Sequence, residues 1–238
     1  MDRPNDGKVA DNGTFVLNDW GLGDGLKGTF YAIDKTGQPL IVRKFKANLY
    51  NNGLSPDGRF AVCLPCIAED GETLTVFDLV QRTELAGWIP ESGAPDHYEF
   101  PPDGKTLGMC YRKFGCFRYS LTGAFLDRDA WRNAWLTKGD YGETLAMVEK
   151  LLQSNSAEPA ADLIPKLIQA IDRVSPMVAQ ADDRSQALAL KLLGICFEKQ
   201  GCLGDALEHY EKALAINPKV GVKRRADQLR RALGAKST

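Results

Sequence analysis

Three short turns constrain this chain more than any other feature of it. Asn12-Gly13, Asp57-Gly58 and Asp103-Gly104 recur at intervals of 45 and 46 residues. Pairs of this kind suit the tight turn of a β-hairpin, because the glycine accepts the left-handed backbone that the turn requires. Each is followed by a run rich in apolar side chains, at residues 14–20, 59–64 and 105–111. A second run follows in each unit, at 29–34, 74–79 and 116–121, and a third is expected at 39–45, 84–89 and 124–127. With a strand leading into each turn, every unit becomes an antiparallel meander of roughly 40–45 residues.

The texture changes near residue 127. Glycine becomes scarce, and Ala, Leu, Glu, Lys and Gln take over, a composition that forms helices over a long window. The expected fold is therefore α+β and multidomain. A sheet-building domain of three blade-like units occupies 1–126, and an α-helical domain occupies 127–238.

Leu54-Ser55-Pro56-Asp57-Gly58-Arg59-Phe60 and Phe100-Pro101-Pro102-Asp103-Gly104-Lys105 resemble the Ser-Pro-Asp-Gly-Lys/Arg signature of YVTN-type and WD40-like β-propellers. Val76-Phe77-Asp78-Leu79 resembles the third-strand ending of those repeats. The Trp-Asp pair that closes a WD repeat is missing, so the YVTN-like form is the better match. Three units are fewer than the four to eight that usually close a ring. The resemblance thus implies an incomplete ring with two apolar end faces. These would meet the helical half, a second copy of the chain in a homodimer of six blades, or the rest of a longer parent.

In the second half, residues 187–201 read as a helix ending at Gly201, and 202–216 as its partner, stopped by Asn217-Pro218. Leu190, Leu193-Gly194, Phe197, Gly201, Ala206, Tyr210, Ala213 and Pro218 together resemble a tetratricopeptide repeat. Residues 127–138 and 141–153, with Trp131, Trp135 and Gly139-Asp140-Tyr141, resemble a degraded copy in which Thr144 replaces the expected Ala. Residues 160–178 read as a helix with Pro165 in its first turns, and 220–233 resemble the polar capping helix of such arrays.

The tetratricopeptide resemblance implies protein partners. A line of Leu188, Lys191, Ile195 and Glu198 lies on the side that borders the concave groove in such arrays, where a peptide or partner helix docks. Lys191 resembles a position that clamps C-terminal carboxylates in chaperone-binding members. Ile195 stands where those members carry Asn, which argues against that activity here.

Chemistry of other kinds finds little support. The chain carries 30 Lys+Arg against 31 Asp+Glu, a balance that excludes a generally basic nucleic-acid coat or an acidic tail. Its opening, Met-Asp-Arg-Pro-Asn-Asp-Gly, lacks the apolar core of a secretory signal, and no stretch is apolar for the roughly 18 residues of a membrane span. A cytoplasmic protein without membrane contact is expected, with its six cysteines as thiols.

Cys63-Leu64-Pro65-Cys66 has the spacing of a zinc or redox pair, but residues three apart on a strand face opposite ways. Cys110 and Cys116 lie too far apart in sequence for a zinc knuckle. Packing is the expected role of all six. His97 and His209 have no nucleophile at a matching spacing. The glycine-rich stretch from Gly21 to Gly28 lies between strands with no helix after it, so it reads as a blade loop rather than a phosphate loop. Basic residues cluster at Lys219, Lys223, Arg224, Arg225, Arg230, Arg231 and Lys236, against Asp227. Phosphate contacts through Lys223, Arg224, Arg225, Arg230 and Arg231 would make a nucleic-acid accessory, a reading disfavoured by the lack of interleaved aromatics.

The expected function is a non-catalytic adaptor or scaffold with no cofactor or metal. Two alternatives stand beside it: a ligand-binding or enzyme-accessory subunit with a pocket between blades and helices, and the nucleic-acid accessory.

Overall fold

In the computed structural model, which describes residues 1–21, 27–66, 73–154 and 160–234 (without the side chains at 160–161), the repeated turns join strands into three antiparallel sheets. Much of the glycine-rich stretch, 22–26, lies outside the described residues, as does Lys236. The first sheet runs in chain order through β1 (Pro4–Val9), β2 (Phe15–Asp19), β3 (Gly28–Ile33) and β4 (Pro39–Phe45). The second contains β5 (Asn48–Leu54), β6 (Phe60–Cys66), β7 (Leu74–Asp78) and β8 (Thr83–Trp88). The third contains β9 (His97–Glu99), β10 (Thr106–Tyr111) and β11 (Gly115–Ser120).

The strand expected at 124–127 shrinks to a single bridge between Tyr119 and Phe125. Asp127 accounts for this: its carboxylate accepts from the backbone N–H, Nε and guanidinium N–H of Arg118, and a helix begins at Arg128. Too little chain remains between that tie and the turn at Gly123 for a fourth strand.

The middle sheet is covered on both faces because its strands are apolar at odd and even positions alike. Phe60, Val62, Leu64, Leu74 and Val76 pack with Leu107, Met109 and Tyr119 of the third sheet. Ala61, Cys63 and Phe77 pack with Val16, Phe30 and Ala32 of the first. The Phe30 and Phe77 rings stack at 4.9 Å. Full burial of each large apolar side chain contributes about 1.5–3 kcal/mol, so these two seams bind the three sheets.

The repeat period reappears as hydrogen bonds between sheets. Asn5 Nδ2 donates to Leu49 O, and Asn52 donates from its backbone to Asp6 Oδ2 and from its side chain to Asp6 O, both at 3.0 Å. Asn51 Nδ2 donates to Pro95 O at 2.7 Å, and Tyr98 Oη donates to Asn51 Oδ1 at 2.7 Å. Sequence separations of 44 to 47 residues recur in this set. Equivalent positions of successive units therefore meet side by side along β1, β5 and β9.

The chain divides into two compact units, Met1–Trp131 and Arg132–Thr238. Helix α1 (Arg128–Lys138) begins at the end of the first. It is followed by α2 (Tyr141–Gln153), α3 (Ala160–Val178), α4 (Asp183–Lys199), α5 (Leu203–Ile216) and α6 (Lys223–Gly234). Helix α2 opens with a capping box, Asp140 accepting from Glu143 N while Glu143 accepts from Asp140 N. It packs on α3 and α4 rather than back along α1, so the degraded repeat expected from those two helices does not close as a hairpin.

Thr144, which breaks the repeat pattern, has a structural use. Its buried hydroxyl donates to Gly139 O and accepts from Arg173, whose guanidinium also donates to Leu136 O and Gly139 O. One α3 side chain thereby satisfies orphan carbonyls at the end of α1.

Helix α4 begins four residues earlier than expected, at Asp183, with Asp182 capping Ser185 N. It ends as expected. Gly201, at φ 82°, directs its N–H to Glu198 O, and the Cys202 N–H reaches Phe197 O, the two bonds of a Schellman cap. Helices α4, α5 and α6 share a core of Ala206, Tyr210, Val222, Ala226 and Leu229, with Ile195 and Phe197 against it.

Candidate interaction surfaces

The repeated turns build the rim of the first unit, and they are used in two ways. Where the first two sheets meet, Asn12 Nδ2 donates to Asp57 O at 2.7 Å and the Asp11 N–H to Pro56 O at 2.9 Å. The Asn12 amide lies over Gly58, where an added Cβ would stand 2.5 Å from Asn12 Oδ1. Between the second and third turns the matching space is open. A groove of about 290 Å³ is lined by Pro56, Asp57, Phe60, Phe100, Pro101 and Thr106, among others. Ser55 holds Asp57 from below, and the Asp57 carboxyl sits below its ordinary range chiefly because the Ser55 hydroxyl donates to it.

The two outer sheet faces differ in chemistry. In the first sheet, Leu17, Tyr31 and Val42 stand opposite one another across β2, β3 and β4, with Val9 opposite Phe15 beside them. These side chains alternate with the row that packs on the second sheet, so they point outward. Val9 is 77% and Val42 51% exposed. This is the apolar end face expected of an incomplete ring.

The outward face of the third sheet is not apolar. Its strands present His97 and Glu99 on β9, Thr106 and Cys110 on β10, and Arg118 on β11. The expectation of two apolar ends is thus corrected to one. Alternation decides this: Leu107, Met109, Phe117 and Tyr119 all face the second sheet, leaving polar residues for the other side.

The cysteines need a further correction. Cys110 and Cys116 are joined in a disulfide. They are directly opposite in the β10–β11 register, so a separation that excludes a zinc knuckle is the one a short hairpin uses to juxtapose two side chains. Cys63 is buried toward the first sheet, and burial pushes its thiol far above the ordinary value. Cys196 is buried within α4 and its thiol is pushed up to about 12 by the same cause. His97 lies on β9. His209 Nδ1 is 2.8 Å from Asp205 O, and its ring packs on Phe197 at 5.0 Å.

In the helical unit, Leu188, Lys191, Ile195 and Glu198 are all half-buried on α4. Lys191 Nζ pairs with Glu149 Oε1 of α2 at 3.3 Å. Ile195 packs against the α5–α6 core. Glu198 accepts from Tyr210 Oη at 2.9 Å and from the Arg225 guanidinium, and Arg225 chiefly holds its carboxyl below the usual range. Two charges expected on an open groove therefore have partners inside the chain.

The basic cluster divides similarly. Arg225 pairs with Glu198, and Arg230 pairs with Glu211 and Asp227. Lys223, Arg224 and Arg231 line a depression of about 460 Å³ together with Asp227 and Gln228. Among the described residues, no helix is long and apolar enough to cross a membrane.

Curated protein sequences yield no match to this chain. Among solved structures it is similar to the C-terminal WD40 domain of Sif2, at 15% identity and a TM-score of 0.38, covering 50% of this chain and 31% of that one. It is likewise similar to the β-propeller domain of Myceliophteria thermophila Cps50 (Swd1), at 12% identity and a TM-score of 0.37, covering 51% and 35% respectively. The chain thus spans about a third of the length of each. Within the helical unit, residues 187–220 match the tetratricopeptide repeat family.

Proposed function

We propose that this chain is a non-catalytic adaptor whose first sheet docks the apolar face of a β-sheet supplied by a different protein. The observation that carries this reading is the outward row of Val9, Leu17, Tyr31 and Val42. It is a sheet face of the same kind as the one buried between the first and second sheets, yet Val9 and Val42 stand exposed. Contiguous exposed apolar patches mark interaction sites in globular proteins. Tetratricopeptide repeats, one of which matches residues 187–220, generally bind protein partners.

A second copy of the chain is a poor occupant. Six-blade closure would set His97, Glu99 and Arg118 of one copy against the apolar row of the other, stripping water from polar side chains that meet no complementary group across the contact. The phosphate-binding alternative is weakened by the internal ion pairs of Arg225 and Arg230.

The test is paired substitution. Val9→Glu with Val42→Glu leaves the melting temperature unchanged, because both side chains are exposed, and removes a partner that co-purifies with the wild-type chain. Lys105→Glu, at an exposed turn away from the row, retains that partner. The interaction is then rebuilt from the two purified proteins. Binding unaffected by the double substitution contradicts the reading, as does a wild-type chain that forms only six-blade dimers.

A further inference from the structure

The outward face of the third sheet carries a donor set that the adaptor reading does not use. His97 lies opposite Cys110, and Cys110 lies opposite Cys116, across β9, β10 and β11. Glu99, two residues along β9, shares the face of His97. One ligand atom from each of these four residues lies within 4.8 Å of all the others. His97 Nε2 is 3.8 Å from Glu99 Oε1. Arg118, which stands in the same cross-strand row as Glu99, gives its guanidinium to Asp127 at 2.9 Å.

Two thiolates, an imidazole and a carboxylate are ligands that zinc accepts in tetrahedral sites. Its bond lengths to sulfur and nitrogen place neighbouring ligand atoms about 3.3–3.8 Å apart; the four ligand atoms here lie within 4.8 Å of one another, and the two sulfurs can take that spacing only once their bond opens. The ladders of β9, β10 and β11 hold the four Cα positions side by side. Three of the four residues are exposed, so both an ion and a thiol reagent have access.

We propose that, with the Cys110–Cys116 bond reduced, this face holds one zinc-class divalent ion on His97, Glu99, Cys110 and Cys116, so that metal and disulfide are mutually exclusive states of the third sheet. The exchange balances through a dithiol. Its two thiols transfer two electrons and two protons to the Cys110–Cys116 bond, which breaks to two thiols while the reductant closes to its own disulfide. The ion then displaces both thiol protons and binds two thiolates. In reverse, a disulfide oxidant takes two electrons from the bound thiolates, the Cys110–Cys116 bond re-forms, and the ion leaves.

The experiment is a cobalt titration of the 238-residue chain, reduced under anaerobic conditions, with absorption as the readout. One equivalent is expected to produce the visible bands of tetrahedral cobalt together with a sulfur-to-cobalt charge-transfer band, both erased by zinc. The oxidised chain, its disulfide verified by peptide mass mapping, is expected to take up none. Cys116→Ser should lower the charge-transfer band, and Cys110→Ser combined with Cys116→Ser should abolish it. His97→Ala and Glu99→Gln, at exposed positions where the fold is insensitive, should each weaken binding by more than about tenfold. Cys202→Ser, in the helical unit, should change nothing. A reduced chain that gives no cobalt bands overturns the proposal, as does a charge-transfer band that survives the double Cys110→Ser, Cys116→Ser substitution or binding indifferent to both His97→Ala and Glu99→Gln.

Discussion

The ring of Tyr210 lies against Gly194 so closely that a Cβ added there would stand 2.5 Å from Cε1 and 2.6 Å from Cδ1. This contact sets the distance between α4 and α5, because the same Cβ would also meet Ala206 O at 3.2 Å. Ring and backbone close the seam together, and the ring cannot retreat while its hydroxyl donates to Glu198. Gly194→Ala therefore forces the helices apart and is expected to cost about 1–3 kcal/mol of stability, read from urea unfolding of the chain followed by far-ultraviolet circular dichroism. The alanine's better helix propensity works in the opposite direction, by up to about 1 kcal/mol, so a neutral or stabilising result would show that the contact is loose.

Glu198 links stability of the helical unit to pH. Its carboxyl is held low mainly by Arg225, which favours the charged form in the folded chain. A depressed folded value gives stability that is present above the ordinary glutamate pKa of about 4.3 and is lost as pH falls through the folded value. The wild-type helical unit should thus weaken on acidification below that range. Glu198→Gln should be less stable at neutral pH and show a flatter acid limb, measured by thermal melts across a pH series.

Arg173 donates to two carbonyls and to the Thr144 hydroxyl, all near the α1–α2 corner. Arg173→Ala leaves those acceptors without their charged donor, at a cost of about 1.5–3 kcal/mol. Amide exchange should rise in the last turn of α1 and the first of α2, and a rise spread evenly over all the helices would count against this role.

The Asn12 lock over the second turn predicts a graded pair of substitutions. Asn12→Ala removes two hydrogen bonds, the one given to Asp57 O and the one accepted from the Thr14 N–H, a loss of about 1–2 kcal/mol. Gly58→Ala costs more, because the position has φ 72° and its Cβ would strike the Asn12 amide. Amide exchange in β2 and β6 reports both, and equal effects would contradict the close approach.

Much of this arrangement is legible in the residues themselves. The Asp-Gly turns declare the sheet period because a left-handed turn position admits few residues besides glycine, and Gly201 announces the end of α4 for the same reason. Sequence periodicity is silent where a fact depends on register. The Cys110–Cys116 pairing and the polar outer face of β9–β11 follow from which residues stand opposite each other. Helix α4 shows a different limit. It is covered from more than one side, so Ala187, Leu192 and Cys196 are buried as well as Gly194, and no single apolar stripe marks its packing face. The ion pairs Lys191–Glu149 and Glu198–Arg225 join residues 42 and 27 apart, beyond the reach of any local spacing rule. Thr144 looks like a defect in the repeat until Arg173 is seen beside it.

The most direct test of the docking face is site-specific photo-crosslinking with Val42→benzoylphenylalanine in the 238-residue chain, with the same residue at Lys105 as reference. The account predicts that position 42 forms a covalent adduct with a second protein, through a segment of β-sheet in that partner, and that position 105 does not. Adducts from position 105 alone, or from neither position while the partner remains bound, would contradict it.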